Sequence, residues 1–341
     1  MKKRNLPTLE DVSFTAGVST ATVSRCLNEP EKVSEKTRKR VMEAVESLNY
    51  APNFGARAIA ANRTGIFGVV IPTMENAIFA KGVEAFQNVL LSKNATMLVA
   101  SSNYSPEQEA RQIRTLVGRG ADGLLLIGFQ RDPKIYSFLS EQEIPVVSAW
   151  ASTKDANQSY VGFDNRTASA KLVRKALALG HENIAYVSAP SAGNDRAAQR
   201  VLGARDAIGE ARLKPDNMLV VETDYSIHNG GEAFRSIVKQ MDEIPPTLIV
   251  CGNDVLAVGV VQAAQEDGYR VPEDISVVGF DNIEISTVVS PALTTVDVPH
   301  HDMGRIAAET LYDLVQNPSD PIQVDLETRM IERQSLGKPR R

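Results

Sequence analysis

Polar side chains that can bind hydroxyl groups or anions follow three of the predicted buried strands. A carboxylate only accepts hydrogen bonds, whereas an amide both donates and accepts them, so together they suit a hydroxyl-rich ligand. The apolar runs that precede them are 184–189, 248–251 and 275–280, and Trp150, the only tryptophan, follows a fourth run, 146–149. The polar residues are Asn194, Asp195, Arg196, Arg200, Asn253, Asp254 and Asp281. The carboxyl ends of parallel strands share one edge of a sheet, which is where open α/β sheets generally bind ligands.

The charge of such a binding site depends on its two arginines. Arg196 and Arg200 are one helical turn apart and therefore share a helix face. Near a helix N-terminus they favour an anion, which predicts a sugar acid or sugar phosphate over a neutral sugar. The alternative is that Asp195 pairs with Arg196, which leaves room for a neutral sugar. Two further alternatives are structural, with Asp254 as a helix N-cap and Trp150 as a core residue.

A second group of residues is suited to reading DNA. In the predicted helix 20–27, Val23 and Leu27 point inward, which leaves Thr20, Ala21, Ser24 and Arg25 outward near the helix start. A recognition helix presents its first turns to base edges in the major groove. Arginine can contact guanine with two hydrogen bonds. The alternative is a three-helix bundle with a solvated polar face.

The residues around this helix predict an all-helical head. Thr8-x-x-Asp11 is a capping-box signature that opens a helix over about 9–16. Ser19 can cap the second helix, and Ser34 can cap a third with an apolar face. Residues 54–63 form a linker of small residues with two arginines, too short to be a stable helix alone. We expect it to become helical only when bound.

From Thr64 onward, buried-strand runs alternate with amphipathic helical stretches. The runs are 66–71, 97–100, 124–127, 146–149, 184–187, 248–251 and 275–280. This alternation predicts parallel sheets with helices on both faces. Two similar lobes fit the length better than a single sheet does.

The charge is unevenly distributed along the 341 residues, whose formal net charge is −5. Residues 1–63 contain 11 Lys and Arg against 7 Asp and Glu, whereas the remainder is acidic. A basic head on an acidic body suggests that the head meets phosphate. No apolar run has membrane-spanning length and no signal peptide is predicted. The two cysteines, Cys26 and Cys251, predict no disulfide scaffold and fit a reducing cytoplasm.

The motifs of several enzyme classes are absent or misplaced. Residues 118–123 match G-x-G-x-x-G but come after a helix and before a strand, the reverse of a dinucleotide site. The four histidines show no metal-ligand spacing, and His300 with His301 is predicted to begin a surface helix. We therefore predict no catalytic residues, no metal and no cofactor. An enzyme on a doubly wound fold and a secreted solute-binding protein remain the rival interpretations.

Residues 8–64 resemble the head of the lactose-repressor (LacI/GalR) family. The shared segments include Leu-Glu-Asp-Val at 9–12, Ala-Gly-Val-Ser at 16–19, Thr-Val-Ser-Arg at 22–25 and Leu-Asn-Tyr at 48–50. The body also resembles that family and the type I periplasmic sugar-binding proteins. Its matching segments include 66–72, 120–126, 162–165, 271–282 and 291–295.

The resemblance implies three parts: a helix-turn-helix domain at 1–53, a hinge helix at 54–63, and an effector-binding and dimerisation domain at 64–341. That body consists of two doubly wound α/β lobes, at about 64–163 with 293–325 and about 164–292 with 326–341. The resemblance extends DNA contact to Thr8, Ser19, Thr22, Asn28, Asn53, Ala56 and Arg57. Ile59 takes the place of a leucine that is inserted between base pairs at the operator centre.

The resemblance also implies function. It places Phe79 and Tyr225 in the walls of the effector pocket, and it supports Arg200 and Asp281 as its central residues. It implies a cytoplasmic homodimer on double-stranded, near-palindromic operator DNA with a CG step at its centre. The expected role is a ligand-responsive repressor of a carbohydrate or sugar-acid catabolic operon, with a sugar acid, sugar phosphate or sugar as effector and no membrane partner.

Overall fold

The computed structural model describes residues 6–51, 63–75, 77–155, 157–241 and 245–340. The chain divides into two compact units, Met1–Thr64 and Gly65–Arg341. In the described part of the first unit there are three α-helices, α1 (Leu9–Ala16), α2 (Thr20–Asn28) and α3 (Glu35–Ser47). Their core contains Val12, Val23, Val41 and Tyr50. The three predicted helices of the head are confirmed.

The predicted caps explain where these helices begin. The Thr8 hydroxyl accepts a hydrogen bond from the Asp11 backbone, and the Asp11 carboxylate accepts one from the Thr8 backbone at 2.8 Å. This reciprocal pair is the predicted capping box. Ser19 and Ser34 cap α2 and α3 through the backbone N–H groups of Thr22 and Thr37. Each cap satisfies a backbone donor that the first helical turn leaves unpaired.

The body is built on two parallel sheets. The strands are β1 (Ile66–Ile71), β2 (Thr96–Ser101), β3 (Ala121–Ile127), β4 (Val146–Ala149), β5 (Ser159–Gly162), β6 (Ile184–Ser188), β7 (Leu219–Glu222), β8 (Leu248–Cys251), β9 (Ser276–Val278), β10 (Thr295–Asp297), β11 (Gln323–Asp325) and β12 (Arg329–Ile331). The six-stranded sheet has the order β11-β5-β4-β3-β1-β2, and the four-stranded sheet has the order β7-β6-β8-β9. All neighbours in both sheets are parallel.

Helices cover these sheets and join them. They are α4 (Ala77–Ser92), α5 (Pro106–Gly118), α6 (Pro133–Glu141), α7 (Asn165–Ala178), α8 (Asp195–Glu210), α9 (Ile227–Gln240), α10 (Asp254–Glu266), α11 (Ile285–Val288) and α12 (His300–Gln316). Helix α12 packs on α4 and on the six-stranded sheet, whereas α7 packs on α8 and α9 on α10. The six-stranded lobe therefore includes α4 and α12, and the four-stranded lobe includes α7 to α10.

The chain passes between the lobes three times, after β5, between β9 and α12, and after β11. At the second and third passages, β10 and β12 pair antiparallel, with Thr295 opposite Ile331. The predicted two-lobed α/β architecture is confirmed, and all seven predicted strands are present. Strands β5, β7, β10, β11 and β12 were not predicted. Residues 54–62, where the hinge helix is predicted, lie outside the described residues.

Candidate DNA-binding and effector sites

The outer face of α2 carries the predicted recognition residues. Val23 is fully buried, and Leu27 packs against the same core, as predicted. Thr20, Ala21 and Arg25 are exposed, and Ser24 is half-buried. The Arg25 guanidinium forms no hydrogen bond or ion pair with the described residues, so it is available to a ligand such as a guanine edge.

Other predicted DNA contacts have structural partners of their own. Ser19 and Thr22 share a hydrogen bond of 2.9 Å between their hydroxyl groups at the start of α2. Thr8 is exposed, but its hydroxyl belongs to the capping box of α1. Asn28 is the last residue of α2. The remaining predicted contacts, Asn53, Ala56, Arg57 and Ile59, lie outside the described residues.

Arg200 is the centre of the candidate effector site. It lies on α8, is 4% exposed, and donates through all three guanidinium nitrogens. Nε donates to Asn165 Oδ1 at 2.8 Å, Nη1 to the Gly252 carbonyl at 2.6 Å, and Nη2 to Asp281 Oδ1 at 3.3 Å. The guanidinium also stacks over the Phe280 ring at 3.7 Å, a cation–π contact. These contacts fix the guanidinium against the ends of β8 and β9.

Arg200 and four neighbouring residues form a closed ring of hydrogen bonds. Trp150 Nε1 donates to His300 Nδ1 at 3.0 Å, and His300 Nε2 lies 3.2 Å from the Asp281 carbonyl oxygen. Asp281 accepts from Arg200, Arg200 donates to Asn165, and Asn165 Nδ2 donates to the Trp150 carbonyl at 2.9 Å. Trp150 and His300 belong to the six-stranded lobe and the other three to the four-stranded lobe. The ring therefore joins the lobes at two points.

Two members of this ring have unusual backbones. Trp150 has a φ of 60° and Asp281 a φ of 102°, both in the left-handed region that side chains disfavour. Such strain persists only where surrounding contacts impose it, and it is common at functional sites. Trp150 is also confined by packing, since a Cβ added at Gly82 would lie 2.5 Å from its ring. The indole therefore has one permitted position.

Among the buried polar atoms that lack a partner in the described residues, two belong to Asp281, the ion-pair partner of Arg200, and to Asn253, the neighbour of Gly252. They are Oδ2 of Asp281 and Nδ2 of Asn253, whose residues are 1% exposed each. Asn253 uses its Oδ1 to cap α10 through the Leu256 backbone at 2.9 Å. A buried polar atom without a partner costs about 1–3 kcal/mol. One acceptor and one donor are therefore left for a ligand.

Asp254 has a different environment from Asp281. Its Oδ1 shares a hydrogen bond of 2.5 Å with the Thr295 hydroxyl, and its Oδ2 accepts from the Ile283 backbone at 2.9 Å. Burial raises the pKa of this carboxyl to about 8, against the lowering effect of the Thr295 hydrogen bond. Both carboxylate oxygens of Asp254 therefore already have hydrogen-bond partners, one on β10 and one in the segment after β9. The helix cap considered for Asp254 is supplied by Asn253 instead.

Asp195 and Arg196 pair with each other, the alternative considered above. Arg196 Nη1 lies 2.9 Å from Asp195 Oδ1, and the other Asp195 oxygen accepts from the Phe129 backbone of the six-stranded lobe. Both residues line a groove of about 910 Å³ together with Phe163 and Gln199. The positive charge of Arg196 is therefore already balanced.

The remaining predicted pocket residues are mostly structural. Phe79 is buried, and its ring meets Trp150 edge-on at 5.5 Å. Asn194 caps α8 through the Ala197 backbone at 3.4 Å. Tyr225 is half-buried, with its ring 5.8 Å from that of Tyr104 across the two lobes. The structure thus groups Trp150, Arg200 and Asp281 directly, and places Asn253 next to Gly252, an Arg200 partner.

Comparison with known proteins identifies this architecture. The profile for "Bacterial regulatory proteins, lacI family" matches residues 8–53, and a "Periplasmic binding protein-like domain" profile matches residues 173–336. Catabolite control protein A of Priestia megaterium is 33% identical over 330 residues, covering 96% of this chain and 98% of that protein. The chain belongs to the LacI family.

Solved LacI-family structures agree over nearly the full length. A transcriptional regulator of this family from Silicibacter pomeroyi has a TM-score of 0.87 at 26% identity, covering 97% of this chain and 99% of that one. The Lac repressor dimer bound to operator and the anti-inducer ONPF has a TM-score of 0.86 at 26% identity, with the same coverage. This LacI-family chain is a transcriptional repressor with a DNA-binding head and a ligand-binding domain, and not an enzyme.

The two cysteines and the segment 118–123 of this LacI-family chain lie in helices, strands and the turn between them. Cys26 and Cys251 are free and buried. Residues 118–123 contain the end of α5, a turn and the start of β3, which confirms that they form no dinucleotide loop. Among the described residues, no acidic, histidine or cysteine cluster could hold a metal. Across the same residues, no helix combines the length and apolarity required to cross a bilayer.

Sequence reasoning missed two members of the ring. His300 was expected to begin a surface helix; it does begin α12, but it is only 5% exposed, so the surface position is wrong for it. The side chain of its neighbour His301 is 71% exposed. Asn165 belongs to the segment 162–165 that resembles the family, and its position directly after β5 was the available signal.

Proposed function

We propose that this LacI-family repressor controls a carbohydrate catabolic operon in response to a sugar bound between its two lobes. The observation that carries the proposal is the presence of two unpartnered buried atoms: Asp281 Oδ2, on the ion-pair partner of Arg200, and Asn253 Nδ2, on the residue next to Gly252. A sugar hydroxyl can donate to the carboxylate while another accepts from the amide. A hydroxyl-rich ligand therefore offers a partner of the right kind to each atom.

The charges in the cleft favour a neutral sugar over a sugar acid or sugar phosphate. The expectation of an anionic effector depended on Arg196 lacking a partner, and Arg196 is paired with Asp195. Arg200 is likewise paired with Asp281, whose carboxylate would repel an added anion. A sugar acid or phosphate would have to displace one of these carboxylates, at a cost in binding free energy. A neutral sugar can bind without that displacement.

On the DNA side, we propose a homodimer that acts in the cytoplasm on a near-palindromic operator. The exposed Arg25 on α2, the basic head and the helix-turn-helix arrangement support this proposal. The proposed parts are the head at 1–53, the hinge at 54–63 and the body at 64–341. Ile59 remains the proposed wedge at the operator centre.

The proposal is tested by calorimetric titration of the full chain with matched triplets of a neutral sugar, its acid and its phosphate. We expect a neutral sugar to bind, and Asp281→Asn to weaken it by at least about tenfold through loss of a charge-assisted hydrogen bond. Asp216→Asn is the matched control, because Asp216 is an exposed carboxylate of the four-stranded lobe. Binding of acids or phosphates alone would overturn the neutral-sugar preference, and unchanged binding by Asp281→Asn would overturn the site.

A further inference from the structure

The hydrogen-bond partners of His300 assign its tautomer. An indole nitrogen can only donate, so His300 Nδ1, 3.0 Å from Trp150 Nε1, must be the acceptor. A carbonyl oxygen can only accept, so Nε2 carries the proton and donates to Asp281. Both ring nitrogens are therefore satisfied only when the imidazole is neutral. A protonated ring would direct a second N–H at the indole N–H and lose the bond to Trp150.

The surroundings of His300 also favour the neutral form. The ring is buried beneath α4 and faces three charged groups: Asp281 after β9, Arg200 on α8 and Lys81 on α4. Burial lowers the pKa of His300; Asp281 opposes this shift, and Arg200 and Lys81 reinforce it. On its own helix, His301 and Asp302 are exposed to solvent.

His300 acts on two residues that define the proposed pocket. It holds the Trp150 indole, which Phe79 and the backbone at Gly82 confine from the other sides. It also holds the carbonyl of Asp281, whose carboxylate carries the free acceptor Oδ2. Since Trp150 and Asp281 lie on different lobes, the two hydrogen bonds of His300 link the lobes.

We propose that His300 is a positioning residue of the effector site, and that its neutral form is required to hold Trp150 and Asp281 in the hydrogen-bonded ring. Effector affinity then falls as the solution becomes acidic. This role rests on the proposed function for the ligand, but the ring itself can be tested without any ligand.

Trp150 provides the readout, because it is the only tryptophan in the chain. Its fluorescence is recorded in the full chain from about pH 8 to pH 5 without ligand. We expect a single titration in emission with a midpoint below about 6.5, the ordinary histidine value. The variant His300→Gln keeps a donor and an acceptor but cannot titrate, so its emission should stay constant over this range.

The matched control is His301→Gln, since His301 is the next residue of α12 and is exposed. The Trp150 fluorescence of this variant should titrate with the same midpoint as that of the unmodified chain. A titration that persists in His300→Gln, or that disappears in His301→Gln, would overturn the proposal. Thermal unfolding of each variant at pH 8 checks that His300→Gln is folded; if it is not, His300→Asn, which also offers a donor and an acceptor, replaces it.

The ligand test follows with whichever neutral sugar binds at pH 8. Affinity of the unmodified chain should fall by up to about tenfold per pH unit below the His300 pKa, whereas His300→Gln should lose much less. If the two chains lose affinity equally, the positioning role fails while the sugar site stands. If no sugar binds either chain at pH 8, the proposed function fails and the fluorescence result still decides the ring.

Discussion

Arg200 Nη2 lies 3.3 Å from Asp281 Oδ1, and the two side chains are 5% and 1% exposed. This is a buried ion pair whose cation donates a hydrogen bond from each of its three nitrogens while its anion keeps one oxygen unpartnered among the described residues. The arrangement gives Arg200 a structural task, which is to neutralise Asp281. We propose that Asp281, through its unpartnered oxygen, is the residue that meets the ligand.

The first prediction concerns this pair. Arg200→Ala leaves the Asp281 carboxylate buried without a counter-charge, so it should lower the free energy of unfolding by about 3–5 kcal/mol. It should also abolish the ligand response while operator binding by the head persists. Chemical denaturation and a mobility-shift assay measure the two effects. Arg174→Ala, which removes an exposed pair with Glu210, should cost about 1 kcal/mol or less. Equal losses in the two variants would contradict the buried-pair argument.

The second prediction concerns Asp254, whose pKa is raised to about 8 by burial. The folded state holds a proton that the unfolded carboxyl releases near pH 3.8, so this group's contribution to stability falls as pH rises between those values. Asp254→Asn can donate to Thr295 and accept from Ile283 without titrating. Its stability relative to the unmodified chain should therefore rise from pH 4 to pH 8, by at most about 1.4 kcal/mol per pH unit.

The control for this prediction is Asp274→Asn. Asp274 is bonded to Arg270, which lowers the pKa of its carboxyl, so the sign is reversed. Its contribution is present above its ordinary pKa and is lost only as acid protonates it. Denaturation curves from pH 3 to pH 9 distinguish the two. If the difference in the free energy of unfolding between Asp254→Asn and the unmodified chain does not change with pH, Asp254 is ionised in the folded state.

The third prediction concerns base recognition by Arg25. Replacing it with alanine should weaken operator binding by about 1–3 kcal/mol and relax specificity at one symmetric base pair of the operator. Selection from a random DNA library by both chains measures this directly. Arg40→Ala on α3 is the control and should leave the selected sequence unchanged. An asymmetric selected site, or an unchanged base preference in Arg25→Ala, would contradict the dimeric reading of this head.

The fourth prediction concerns the capping box of α1. Thr8→Ala removes the hydroxyl that accepts from the Asp11 backbone, which should destabilise α1 by about 1 kcal/mol. Amide hydrogen exchange along residues 9–16 reports this loss locally. Thr15→Ala, at an exposed position inside the same helix, should not speed exchange because alanine favours helix. Faster exchange in both variants would indicate a loss unrelated to capping.

Local sequence signals predicted the head and the central strands well. The caps at Thr8, Ser19 and Ser34 depend on residues within three positions, and β1, β4 and β8 are apolar runs with the predicted bounds. The strand β11 (Gln323–Asp325) alternates exposed and half-buried residues, and it forms only because β5 lies beside it. No local pattern reports a partner more than 160 residues away.

The residue types of the site could be predicted from the sequence. The contacts between those residues were harder to predict. Asp281 and Arg200 were expected together because strand ends meet at one edge of a sheet. His300 was misplaced because its burial depends on Trp150, 150 residues earlier in the chain. The adjacent pair His300 and His301 has no apolar periodicity that distinguishes the buried ring from the exposed one.

The close approach of Gly82 to the Trp150 ring has a consequence for redesign. A side chain at Gly82 would collide with the indole, and one at Gly304 would meet the Gly82 backbone, so this wall cannot be enlarged or reshaped one substitution at a time. We expect new ligand selectivity to be accessible instead in the groove that Asp195, Arg196 and Gln199 line. Libraries aimed at a sensor for another metabolite should vary that groove and leave the glycine–tryptophan wall intact.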